Sequence, residues 1–116
     1  MATVTVATEL FPDQDAVLYT WVLTQADAVG SPVTAHEYAD RTMQMTGTFG
    51  TATFVLEGAN VATYTTLTDP QGNGISKTAA AIEQVLEVPR YTRPNSSGAT
   101  GGESVTVTLF CRRTRR

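Results

Sequence analysis

Ser104-Val105-Thr106-Val107-Thr108-Leu109-Phe110-Cys111 alternates side-chain character with a period of two. Successive side chains on a strand point to opposite faces. Val105, Val107, Leu109 and Cys111 therefore line one face, and Thr106, Thr108 and Phe110 the other. The same pattern recurs upstream. Val17, Tyr19, Trp21 and Leu23 fall together against Leu18, Thr20, Val22 and Thr24. Both faces of that run are fairly apolar, which predicts a central strand. Met43 and Met45 oppose Thr42, Gln44 and Thr46, and Val4 and Val6 alternate with Thr3 and Thr5.

Turn residues separate these runs. Gly47 and Gly50 bracket Thr48-Phe49, which reads as a turn or bulge, and Thr51 to Glu57 resumes with Phe54 and Leu56 on one side. Gly58-Ala59-Asn60 predicts a tight turn, with Val61 to Leu67 as the return strand. In Asp69-Pro70-Gln71-Gly72-Asn73-Gly74, proline presets φ and the glycines supply positive φ. Lys77 to Val88 carries Ile82, Val85 and Leu86 at helical spacing but ends at Pro89, which predicts at most a short helical turn passing into a strand near Val85 to Val88. Tyr91 to Pro94 reads as extended, because a residue before proline is pushed out of the α region. Asn95 to Gly102 reads as a polar, mobile loop.

The sum is roughly seven to nine short strands and no long helix, which predicts one all-β domain over residues 1–116, an antiparallel β-sandwich or barrel. The termini, about 1–8 and 112–116, are expected to be mobile. A chain of 116 residues has room for one core. Cys111 is its only cysteine, so the fold rests on packing without an internal disulfide. The first ten residues lack a basic start and a continuous apolar run, so no signal peptide is expected. No apolar stretch approaches the ~20 residues of a membrane span.

Only 16% of the residues are charged, below the roughly 25% of ordinary domains. Threonine supplies the polarity instead, at about a fifth of the chain, and its β-branched side chain favours strands. The net charge of −3 gives no general reason to bind nucleic acid. Four of the eight basic residues stand at Arg112, Arg113, Arg115 and Arg116. They read as a solubilising end or as an arm that meets an acidic neighbour or a phosphate backbone.

Catalytic chemistry has few candidates. His36 is the sole histidine, which leaves no usual zinc set, and no nucleophile-elbow motif accompanies His36 and Asp40. Asp13 and Asp15 lack the calcium-loop pattern with its glycine and distal glutamate. Cys111, on an apolar strand face, reads as a buried thiol. The residues thus predict a non-enzymatic module with no metal or cofactor. Among the aromatics, Trp21 belongs in the core, whereas Tyr64, opposite Val61 and Leu67, is the better outward contact.

The runs Thr42-Met43-Gln44-Met45-Thr46-Gly47-Thr48-Phe49-Gly50, Ala52 to Asn60, Tyr64 to Asn73, Glu87 to Pro94 and Val105 to Arg113 resemble a group of small structural proteins of tailed bacteriophages. The resemblance implies a virion component, a decoration or cement protein on the capsid surface, made in the host cytoplasm. Its implied partners are the major capsid protein and further copies of itself, as a trimer or dimer. Val4, Val6, Arg112 and Arg113 are then the expected contacts, with the segment Ala2 to Val6 adding to a neighbour's sheet. The hairpin is also similar to discoidin-like jelly-roll carbohydrate-binding domains, which implies a sugar-binding module on the virion, with Tyr64 in contact. Those domains usually carry Ser-Asn-Asp-Gly where this chain has Gly58-Ala59-Asn60-Val61. A tail or head-completion protein is the third expectation.

Overall fold

The computed structural model describes residues 3–113. In order, the strands are β1 (Thr3–Val4), β2 (Ala7–Phe11), β3 (Ala16–Thr24), β4 (Val29–Gly30), β5 (Asp40–Thr48), β6 (Thr53–Ala59), β7 (Thr65–Thr66), β8 (Ser76–Lys77), β9 (Ala81–Gln84), β10 (Tyr91–Ser97) and β11 (Ser104–Arg112). They form two sheets packed face to face, a β-sandwich. One sheet has the order β1-β4-β10-β6-β7, with β8 also on β6; the other has the order β2-β3-β11-β5-β9. All pairings are antiparallel except β1 with β4.

The opening segment, Ser104 to Cys111, becomes the central strand of the five-stranded sheet. β11 pairs along its full length with β3 on one side and β5 on the other. Alternation decides what is buried. Val17, Trp21, Leu23, Met43, Met45, Val105, Val107, Leu109 and Cys111 turn inward and meet Phe54, Leu56, Leu67 and Ile75 of the facing layer. Each such side chain contributes about 1.5–3 kcal/mol by leaving water. Trp21 also donates its indole N–H to the carbonyl of Ser31, at 2.9 Å.

The alternating strands stand where the sequence predicted them, while the connections differ. Lys77 to Val88 holds no helical turn: Ser76–Lys77 and Ala81–Gln84 are strands, and the short helical element is a 3-10 turn at Pro12–Gln14. Val61 to Leu67 does not return as a full strand. β6 runs on through Gly58 and Ala59, and only Thr65 and Thr66 pair back with it. β10 extends to Ser97, so the loop is shorter than expected. Helical spacing misled at Ile82, Val85 and Leu86, because pairing of β9 with Thr42 to Met45 outweighs a weak local propensity.

Glu103 closes one end of the sandwich. Its Oε2 accepts the backbone N–H groups of Thr51 (3.3 Å) and Thr100 (3.1 Å), and Oε1 accepts that of Gly101 (2.7 Å). These bonds favour the carboxylate and hold its pKa down to about 2. The unfolded chain takes up this proton at higher pH than the folded one. The stabilisation is therefore complete above the ordinary glutamate range and fades as pH falls from about 5 towards 2. Glu103→Gln points an amide N–H at these donors. Unfolding melts of this variant should start lower at neutral pH and show a flatter pH dependence between about 5 and 2 than the parent.

Candidate docking surfaces

The outward side chains of the five-stranded sheet form a continuous field. Across the strands run the rows Leu18, Phe110 and Thr42; Thr20, Thr108 and Gln44; Val22, Thr106 and Thr46; and Thr24, Ser104 and Thr48. Ile82 and Gln84 of β9 extend the first two rows. Val22 is 43% and Ile82 62% exposed, so apolar carbon reaches the surface among the threonines. Among the described residues, charge on this face is confined to its margins. Glu9 lies on the edge strand β2, opposite Leu18, and Arg112 at the end of β11 is ion-paired with Asp40.

The opposite sheet presents a different chemistry. Glu57 accepts from Arg93 Nε at 2.7 Å and from Asn95 at 3.2 Å. The Arg93 guanidinium lies 3.8 Å from the ring centre of Tyr64, and that of Arg90 lies 4.9 Å from the ring centre of Tyr91. Guanidinium groups thus take the ring faces on which a sugar would stack.

The residues expected to make contacts are not brought together. Val4 and Val6 are half-buried against the chain's own core. Val4 accepts the N–H of Ser31 at 2.9 Å, and Val6 donates its N–H to Ser31 Oγ at 3.0 Å. From Thr3 onward this segment is thus hydrogen-bonded to the rest of the chain; Met1 and Ala2 lie outside the described residues. β2, which follows, is the more open strand, and Leu10 is 66% exposed. Arg112 belongs to β11 and pairs with Asp40; Arg113 pairs with Glu37 at 3.0 Å and stacks over Tyr38. Both side chains thus pair with residues of the sandwich. Arg115 and Arg116 lie outside the described residues. Tyr64 stands near β7, at the edge of the six-stranded sheet opposite β1.

Two features escaped the sequence reading. The first is Arg41, wholly buried, whose Nη1 donates to Thr92 Oγ1 at 3.1 Å while Nε and Nη2 have no protein partner. Burial lowers its pKa. Its place was legible in principle, since Arg41 shares strand parity with Met43 and Met45. The second is an open cleft of about 440 Å³ between residues 58–67 and 87–89. It joins segments with no shared motif.

His36 is exposed on the turn that precedes β5, and the Cys111 thiol is pushed up to about 12 by burial. That keeps Cys111 a thiol at neutral pH, a poor nucleophile. Among the described residues, no group of three or more His, Cys, Asp or Glu could hold a metal ion. No model of a known protein family matches this chain, and no curated protein is significantly similar to it.

Proposed function

We propose that this chain is a bacteriophage head decoration or cement protein, and that it docks on major capsid protein subunits through the outer face of its five-stranded sheet. The observation that carries the reading is the breadth of that face without charge inside its margins. Charges cost most to desolvate, and a threonine presents a methyl group beside a hydroxyl that can be re-paired across an interface. Three nine-residue strands, with the five residues of β2 and the four of β9, span about 600 Å² at ordinary strand spacings. A stable interface needs about 800 Å² per partner. Many copies bridging neighbouring subunits would reinforce a shell by multivalency, without turnover of any substrate. The phage resemblance supplies the setting, a virion surface, with the chain a dimer or trimer there.

The test is the copy number in purified particles, by quantitative mass spectrometry against the major capsid protein. Hundreds of copies in simple ratio to the shell subunit support decoration. A handful or none overturns it and turns attention to a tail or head-completion role. Thr106→Lys, at the centre of the field, should weaken particle binding at least tenfold, because a buried unpaired ammonium costs more than 1.4 kcal/mol. Glycan binding by the isolated chain, lost in Tyr64→Ala, would instead favour a sugar module.

A further inference from the structure

We propose that the cleft beside β7 binds an extended segment of a partner protein by strand addition, and selects a segment with an apolar and a basic side chain. This deepens the assembly reading and rests on it only for the segment's source. The cleft is a split between two parts of the chain. At one end Leu86 donates its N–H to the carbonyl of Thr68 at 2.9 Å, and Glu87 Oε1 accepts the N–H of Thr68 at 2.8 Å. At the other end Arg90 donates its N–H to Asn60 Oδ1 at 3.2 Å, and Pro89 packs on Gly58, so the cleft opens between these two ties. Thr63, Thr65 and Thr66 stand on one side, Val88 and Pro89 on the other, with Gly58 and Leu67 between them.

The wall carries a free sheet edge. β7 is the last strand of its sheet. Leu67 donates its N–H to Leu56 at 2.9 Å, and Thr66 stands opposite Glu57. Antiparallel alternation then turns the N–H and C=O of Thr66 away from β6. An extended chain can take up both groups, the strand-addition mode of peptide recognition. Exposed apolar side chains gather here too. Val61 is 83%, Leu86 55% and Val88 39% exposed, three of the six large hydrophobics exposed among the described residues. They are in or next to the cleft lining.

Charge selects the occupant. Glu87 is the one ionisable group of the lining, and no cation of the described residues lies within ion-pair distance of it. Against its partial burial, the hydrogen bonds from Thr68 and, more weakly, the buried Arg41 favour its ionised form, and Arg41 is closed to solvent. A basic side chain in the cleft therefore gains a partner, and an acidic one meets repulsion.

The probes are two acetylated, amidated peptides, Thr-Val-Arg-Val-Thr and the same peptide with glutamate in place of arginine, titrated into the isolated isotope-labelled protein by NMR. The expected result is shifts gathered on Thr65, Thr66, Leu67 and Val88, with the arginine peptide binding at least threefold more tightly. Glu87→Gln, whose amide oxygen keeps the bond to Thr68, should abolish that preference. Thr66→Pro, which removes an N–H not used by the β6 ladder, should weaken both peptides. Absence of shifts at millimolar peptide, shifts elsewhere, or equal affinity for the two peptides overturns the proposal. Because the isolated chain is used, this outcome is independent of the particle copy number.

Discussion

Trp21→Ala should lower the free energy of unfolding by about 3–5 kcal/mol. The magnitude is large because the indole is wholly buried and acts twice. Its ring packs on Gly30, where an added Cβ would stand only 2.5 Å from Trp21 Cδ1. Its N–H holds the Ser31 carbonyl, and Ser31 in turn holds Val4 and Val6. Truncation thus opens a cavity in the core and loosens the segment that anchors β1. Against a total stability of about 5–15 kcal/mol, the variant sits near the threshold of folding. Urea melts measure the loss. Amide exchange should rise first at Val4, Val6 and Ser31. Trp21→Phe keeps most of the ring and leaves the Ser31 carbonyl unpaired, at about 1–3 kcal/mol. A loss below about 1 kcal/mol for alanine would contradict the packing described.

Arg41→Met should leave stability unchanged or raise it, by about 1–4 kcal/mol. Arg41→Ala should destabilise by about 2–5 kcal/mol, in the range of other large-to-alanine changes in a core. The contrast separates volume from charge. The Arg41 side chain fills space among core residues, but two of its nitrogen atoms make no protein hydrogen bond and no carboxylate of the described residues lies within ion-pair distance. Burial without a charged partner penalises the guanidinium, and methionine supplies similar bulk at no such penalty. Chemical melts at neutral pH read the result. A loss above about 2 kcal/mol for methionine would mean that the charge is compensated, Glu87 being the carboxylate with an electrostatic effect on it.

The comparison of these two residues shows what each level of description can reach. Trp21 was assigned to the core from its neighbours in the chain. Arg41 obeys the same parity rule, although a charged side chain is rarely buried. Parity reports which way a side chain points, while only the facing sheet decides whether that direction ends in water. The intramolecular partners of the expected contact residues were hidden for a related reason. Arg112 and Arg113 sit beside acids far away in the chain, Asp40 and Glu37. Val4 and Val6 are fastened through Ser31, and nothing near any of them in sequence marks those partners.

By itself, then, the sequence determined the all-β class, the strands around Trp21, Met43, Phe54 and Val107 with their inward faces, and the turn at Asp69 to Gly74. These rest on local physics: a strand repeats every two residues, and proline and glycine restrict or free the backbone where they stand. The tertiary structure alone decided the strand order, the uncharged field on one sheet and the arginine-stacked tyrosines on the other, the buried Arg41 and the cleft beside β7. Each depends on segments distant in sequence meeting across or between the sheets, and pairing at that distance leaves no period in the chain.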